Sequence, residues 1–90
     1  MTMKPLGPAR QHYWLLQDMA KATDVDLARA FKTGTIDNAD WADLVTACRG
    51  CDWVGGCQRW LQNGGAAEVP PKPCRNRARL AALKIEQELA

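Results

Sequence analysis

Export and membrane signals are the first things this chain lacks. No apolar run approaches the roughly 18 to 20 residues that a membrane span requires, and the opening residues carry no apolar h-region of a secretory signal. The expectation is therefore a soluble, cytoplasmic protein without a membrane partner. A dominant charge is lacking too: 12 Lys plus Arg against 10 Asp plus Glu leave a net charge of +2, too little for an overall field that gathers polyanions. Histidine occurs once, as His12. With one histidine and no acidic pair in a glycine-framed pocket, no general acid–base or nucleophile–base arrangement is recognisable, and the balance falls against an enzyme. No segment shows the alternation of a strand, and no internal repeat is present.

What the sequence does have is the composition of one small folded domain. In 90 residues, 47% are hydrophobic and 24% charged, far from the disordered corner of low hydrophobicity and high net charge. Residues 1–6 read as a flexible tail, and residues 7–90 as a single domain. The fold class is all-α, a bundle of four to five short helices. Gly7 and Pro8 suit the cap and first position of a helix to about Ala22, with Leu15, Leu16 and Met19 facing inward and Tyr13 and Trp14 widening the stripe. Thr23 or Asp24 caps a second helix whose Leu27, Ala28 and Phe31 share a face, stopped by Gly34. Asp37 and Asp40 form a capping pair for a third helix from about Asn38, and Ile36 can staple onto Trp41. Its inward series is Trp41, Leu44, Val45 and Cys48, and Gly50 ends it. A fourth helix, about Val54 to Asn63, carries Cys57, Trp60 and Leu61 on one face and stops at Gly64 and Gly65. From Ala66 to Pro73 three prolines enforce a stiff extended strap. Asn76 caps a last helix to about Leu89 with the apolar stripe Ala78, Ala81, Ala82, Ile85 and Leu89.

The chemistry is concentrated in the four cysteines. Cys48, Cys51, Cys57 and Cys74 follow the pattern C-x2-C-x5-C-x16-C, with the first three at a helix end, a turn and a new helix start, and the fourth delivered by the proline strap. In a reducing cytosol such thiols are better read as soft ligands converging on a metal than as disulfides. Zinc and iron–sulfur clusters both accept four cysteines. Structural zinc usually uses two C-x2-C knuckles, whereas only Cys48 and Cys51 form one here, and the wider spread favours a larger inorganic core. The alternatives that stay open are structural zinc and a metal-free set of buried thiols. Against the last, Cys51 and Cys74 occupy loop or strap positions with no apolar periodicity to absorb them.

Cys48-Arg49-Gly50-Cys51 and Cys57 resemble the C-x2-C-x5-C portion of the four-iron four-sulfur loop of helical DNA-repair glycosylases, a portion that also recurs in auxiliary-cluster domains of radical enzymes. The likeness covers about ten residues and departs at the fourth ligand, so it implies a cofactor and not an activity. Trp14-Leu15-Leu16, Val25-Asp26-Leu27, Asp40-Trp41, the Cys48–Cys57 loop and Pro73-Cys74-Arg75-Asn76 together resemble an uncharacterised family of short bacterial helical proteins with four cysteines. That resemblance implies a bacterial cytoplasmic domain and no assigned mechanism.

Four tryptophans stand in this short chain. Trp53 and Trp60, beside the cysteines, are candidate shields against water, Trp53 the better of the two, while Trp41 and Trp60 equally suit a small core that needs bulk. Arg49 and Arg75, each directly after a cysteine, can offset thiolate charge. Residues 18–52 hold seven Asp against four basic residues, and residues 53–90 hold six basic against three acidic. Lys72, Arg75, Arg77 and Arg79 thus form a candidate surface for an acidic partner protein or a nucleic acid backbone, or simply a solvated helix start. His12, far from the cysteines in sequence, is not expected to be a ligand. The functional expectation is a small iron–sulfur protein, 4Fe-4S by preference, for electron transfer to a protein partner or redox sensing. The alternatives are a zinc-held adaptor for protein or nucleic acid, and a metal-free interaction module.

Overall fold

The computed structural model describes residues 6–89. The expected tail therefore lies outside the described residues except for Leu6, which is exposed. Five helices follow in order: α1 Ala9–Ala22, α2 Leu27–Lys32, α3 Asn38–Arg49, α4 Val54–Gln62 and α5 Arg77–Leu89. Among the described residues no strand occurs and no helix is long and apolar enough to cross a membrane. α1 packs mainly on α3 and then on α4. The core gathers Leu16, Met19 and Ala20 of α1, Val25, Leu27, Ala30, Ile36, Leu44, and Leu80 and Leu83 of α5.

The helix ends explain the boundaries. α3 starts where expected because both halves of its capping box form: Asp37 Oδ1 accepts from the Asp40 N–H at 2.9 Å and Asp40 Oδ2 from the Asp37 N–H at 3.0 Å. Replacing Asp37 with Ala should lower stability by about 1 kcal/mol in a denaturant titration, the usual cost of a lost N-cap. α1 begins one residue later than its proline suggests, with Pro8 outside the helix as N-cap. The cap of α2 is neither Thr23 nor Asp24 but Asp26, whose Oδ1 accepts from the Arg29 N–H at 3.0 Å. Thr23 instead closes α1, bonding back to the Met19 carbonyl, and Asp24 takes the left-handed conformation that turns the chain, at φ 61°.

Two inward faces differ from the expected ones. α2 buries Leu27 and Ala30, leaving Ala28 and Phe31 exposed, because the cap at Asp26 sets its rotation. Phe31 joins a surface aromatic group, edge-on to Trp41 at 5.8 Å, with Tyr13 stacked on Trp41 at 6.4 Å. α5 buries Leu80 and Leu83, while Ile85 is 56% exposed and Ala78, Ala82 and Leu89 also face solvent. Two polar anchors set that rotation. Asn76, 1% exposed, donates from Nδ2 to the Leu44 carbonyl at 2.8 Å. Gln87 clasps Asp26 at both backbone atoms, donating to its carbonyl at 2.7 Å and accepting from its N–H at 3.1 Å. The strap between α4 and α5 has no regular structure. It is held by the Ala67 N–H on the Ala22 carbonyl, by the Lys84 ammonium on the Glu68 carbonyl and carboxylate, and by Arg77 Nε on the Pro70 carbonyl.

Candidate metal centre

The last turn of α3, the 50–53 turn, the first turns of α4 and the end of the strap meet over α1. Between them lies one small cavity, lined by Cys48, Cys51, Cys57 and Cys74 together with Leu15, Leu16, Met19, Trp53, Arg75, Asn76 and Leu80. All four candidate ligands thus come to one place, and all are free, half-buried thiols. The local reasons are plain. Gly50 ends α3 so that the Cys51 N–H can turn back to the Cys48 carbonyl at 3.1 Å, and a turn from the Pro71 carbonyl to the Cys74 N–H, 2.9 Å, delivers the fourth sulfur. The Cys51 thiol faces the strap, 3.9 Å from the Pro73 carbonyl.

The sulfurs are close enough to act on one another. Burial, followed by the neighbouring thiols Cys57, Cys51 and Cys74, pushes the Cys48 thiol up to about 12. Burial, then Cys74 and Cys51, pushes Cys57 up to about 11. Cys74 is also raised, chiefly by burial, against the opposing pull of the Asn76 backbone N–H on its sulfur. Left to itself the cavity keeps these groups as neutral thiols, and a bound cation is what would make them thiolates. Polar groups already stand beside them: the Trp53 backbone N–H donates toward Cys51 Sγ at 3.3 Å, and Asn76 adds a buried amide oxygen, an acceptor, that has no partner among the described residues. No three His, Cys, Asp or Glu side chains among the described residues stand as a set that could hold a metal ion. The four thiols line one cavity but do not form such a set. The cavity itself has a volume of about 20 Å³, room for one water-sized guest.

The residues around the ligands divide. Trp53 lines the cavity, its indole lying over Gly56, where any Cβ would collide with the ring. Trp60 lies outside the lining, packed against the core and under Gly65. Arg75 lines the cavity and reaches Asp52 at 3.4 Å. Arg49 turns the other way, its Nε donating to the Gly7 carbonyl at 2.7 Å, while the Gly7 N–H returns to the Arg49 carbonyl at 3.0 Å. Of the candidate partner-binding cations, Arg77 donates to the Pro70 carbonyl, Arg75 faces Asp52, Arg79 lies in a groove with Asp40 and Glu86, and Lys72 is exposed.

His12 is the residue that sequence separation hid. It is 2% exposed, and its Nδ1 lies 3.4 Å from Cys48 Sγ. Burial holds its pKa below the usual histidine value, the Cys48 backbone hydrogen bond opposes this, and Arg49 adds to the lowering. A signal was present, since His12 continues the series Leu15, Leu16, Met19 at helical spacing and so belongs to the inward stripe of α1.

Fold and site together define a small all-α protein with four cysteines around one cavity. The chain belongs to DUF6455, a family of unknown function, whose match spans residues 3–86. No curated protein and no solved structure matches it.

Proposed function

We propose that this chain binds an iron–sulfur cluster, 4Fe-4S by ligand pattern, through Cys48, Cys51, Cys57 and Cys74, and uses it for one-electron transfer or redox sensing in a bacterial cytoplasm. The observation that carries this reading is the convergence of all four thiols, three from the 48–57 segment and one from the strap, on one cavity. One further feature supports it. Backbone N–H groups are aimed at Cys51 and Cys74, as donors that stabilise cluster sulfur charge are. The likeness of the Cys48–Cys57 spacing to the glycosylase loop points the same way. When bound, the cluster would supply a one-electron couple. The chain supplies the ligands, the donors, and insulation by Trp53, Leu15, Leu16 and Met19. The cavity's small volume sets a condition: its lining must open to admit a cluster.

That same small volume favours a second reading, a structural zinc whose binding free energy is part of folding, in an adaptor for protein or nucleic acid. Elemental analysis separates the two. Protein made with iron supply and purified without oxygen should be brown, absorb broadly near about 400 nm as cluster sulfide-to-iron transitions do, and contain iron and acid-labile sulfide. One zinc per chain with no colour establishes the second reading, and no metal at all leaves a helical interaction module. If Lys72, Arg75, Arg77 and Arg79 contact a polyanion, its affinity should fall steeply as salt rises, by about one power of salt per phosphate contact. A flat salt response removes that surface.

A further inference from the structure

His12 is built into the site from two sides. Gly7 lies directly against its ring, close enough that a Cβ at residue 7 would collide with Nε2 and Cδ2. Gly7 is in turn bonded twice to Arg49, the neighbour of Cys48. The imidazole is thus wedged between the N-terminal segment and the last turn of α3, with Nδ1 toward Cys48 Sγ at 3.4 Å. The other donors near the sulfurs, Trp53 on Cys51 and Asn76 on Cys74, are backbone N–H groups. His12 is the side-chain partner of the set, with its Nδ1 at hydrogen-bond distance from Cys48 Sγ and the donor set by its tautomer, and Cys57 has no such partner among the described residues.

Resting on the cluster-binding reading, we propose that His12 is a positioning residue for Cys48: its Nδ1–H donates to the ligating thiolate, aims the sulfur into the cavity and raises the reduction potential of the bound cluster. The physical reason is general. An N–H donor to a charged sulfur stabilises it, and stabilises the more negative, reduced cluster most.

The test uses the full chain with His12→Leu, His12→Asn and His12→Gln. Asparagine can place its amide N–H where Nδ1 stands, whereas glutamine places it where Nε2 stands and serves as the polar control. In the reconstituted protein, leucine and glutamine should shift the reduction equilibrium about tenfold toward the oxidised form, roughly 59 mV for one electron, and asparagine should recover most of the shift. Equal potentials in all four proteins would overturn the proposal while leaving cluster binding intact. A second readout needs no metal. In metal-free protein at fixed pH, residue-resolved alkylation by iodoacetamide should slow at Cys48 about tenfold in the leucine variant, with Cys57 unchanged and asparagine restoring the rate. Faster alkylation at all four cysteines would mean that His12 only fills space, and would overturn the positioning role. Because this readout works even when the wild-type chain takes up no iron or sulfide, failure of the cluster reading and failure of the His12 role give different results.

Discussion

Cys74→Ser should strip the anaerobically loaded protein of its visible absorbance and lower bound iron at least about a hundredfold, since losing a soft ligand costs more than the 10- to 100-fold typical of its supporting hydrogen bonds. Cys74 is the one ligand that does not come from the 48–57 segment. It arrives on a strap whose position depends on the Pro71 turn, the Lys84–Glu68 pair and Arg77 on Pro70. Serine keeps the turn and the Asn76 N–H, so the backbone stays in place and only the ligand chemistry changes. The metal-free variant should therefore match the wild type within about 1 kcal/mol in denaturant. Iron and sulfide per chain, measured on freshly isolated protein, check the first half. An unchanged spectrum removes Cys74 from the centre and with it the convergence on which the functional reading stands.

The second large effect is on stability. Leu80 is fully buried, at 0% exposure, and it touches both the core and the cysteine cavity. Leu80→Ala removes apolar contacts and leaves a void beside a cavity that is already there, so the loss should fall in the range of about 2–5 kcal/mol for such truncations. For a domain this small that is a large share of a total of about 5–15 kcal/mol. Equilibrium denaturation of the metal-free chain should show a lower midpoint with an unchanged slope. A loss below about 1 kcal/mol would mean that α5 does not rest on the core as described.

These two residues also show what was legible in the sequence. The cysteine grouping was, because chain proximity forces Cys48, Cys51 and Cys57 together and the proline strap limits where Cys74 can go. The start of α3 was legible because a capping box is a local device, complete within four residues. Leu80 was not, because α5 is rich in alanine and offers two apolar stripes that local pattern cannot rank. The choice is made by Asn76 on Leu44 and by Gln87 on Asp26, bonds that span 32 and 61 positions. His12 was missed for a related reason. A polar residue on an inward stripe is a question about its partner, and here the partner lies 36 positions away.

The paired bonds between Gly7 and Arg49 have a mechanical side. Whatever is attached upstream of residue 7 pulls first on the final turn of α3, one position from a thiol ligand, whereas Leu89 at the other end stands free in solvent, 82% exposed. An affinity tag intended to leave the thiols undisturbed therefore belongs after α5, and a handle fused ahead of Gly7 would transmit its tension to them.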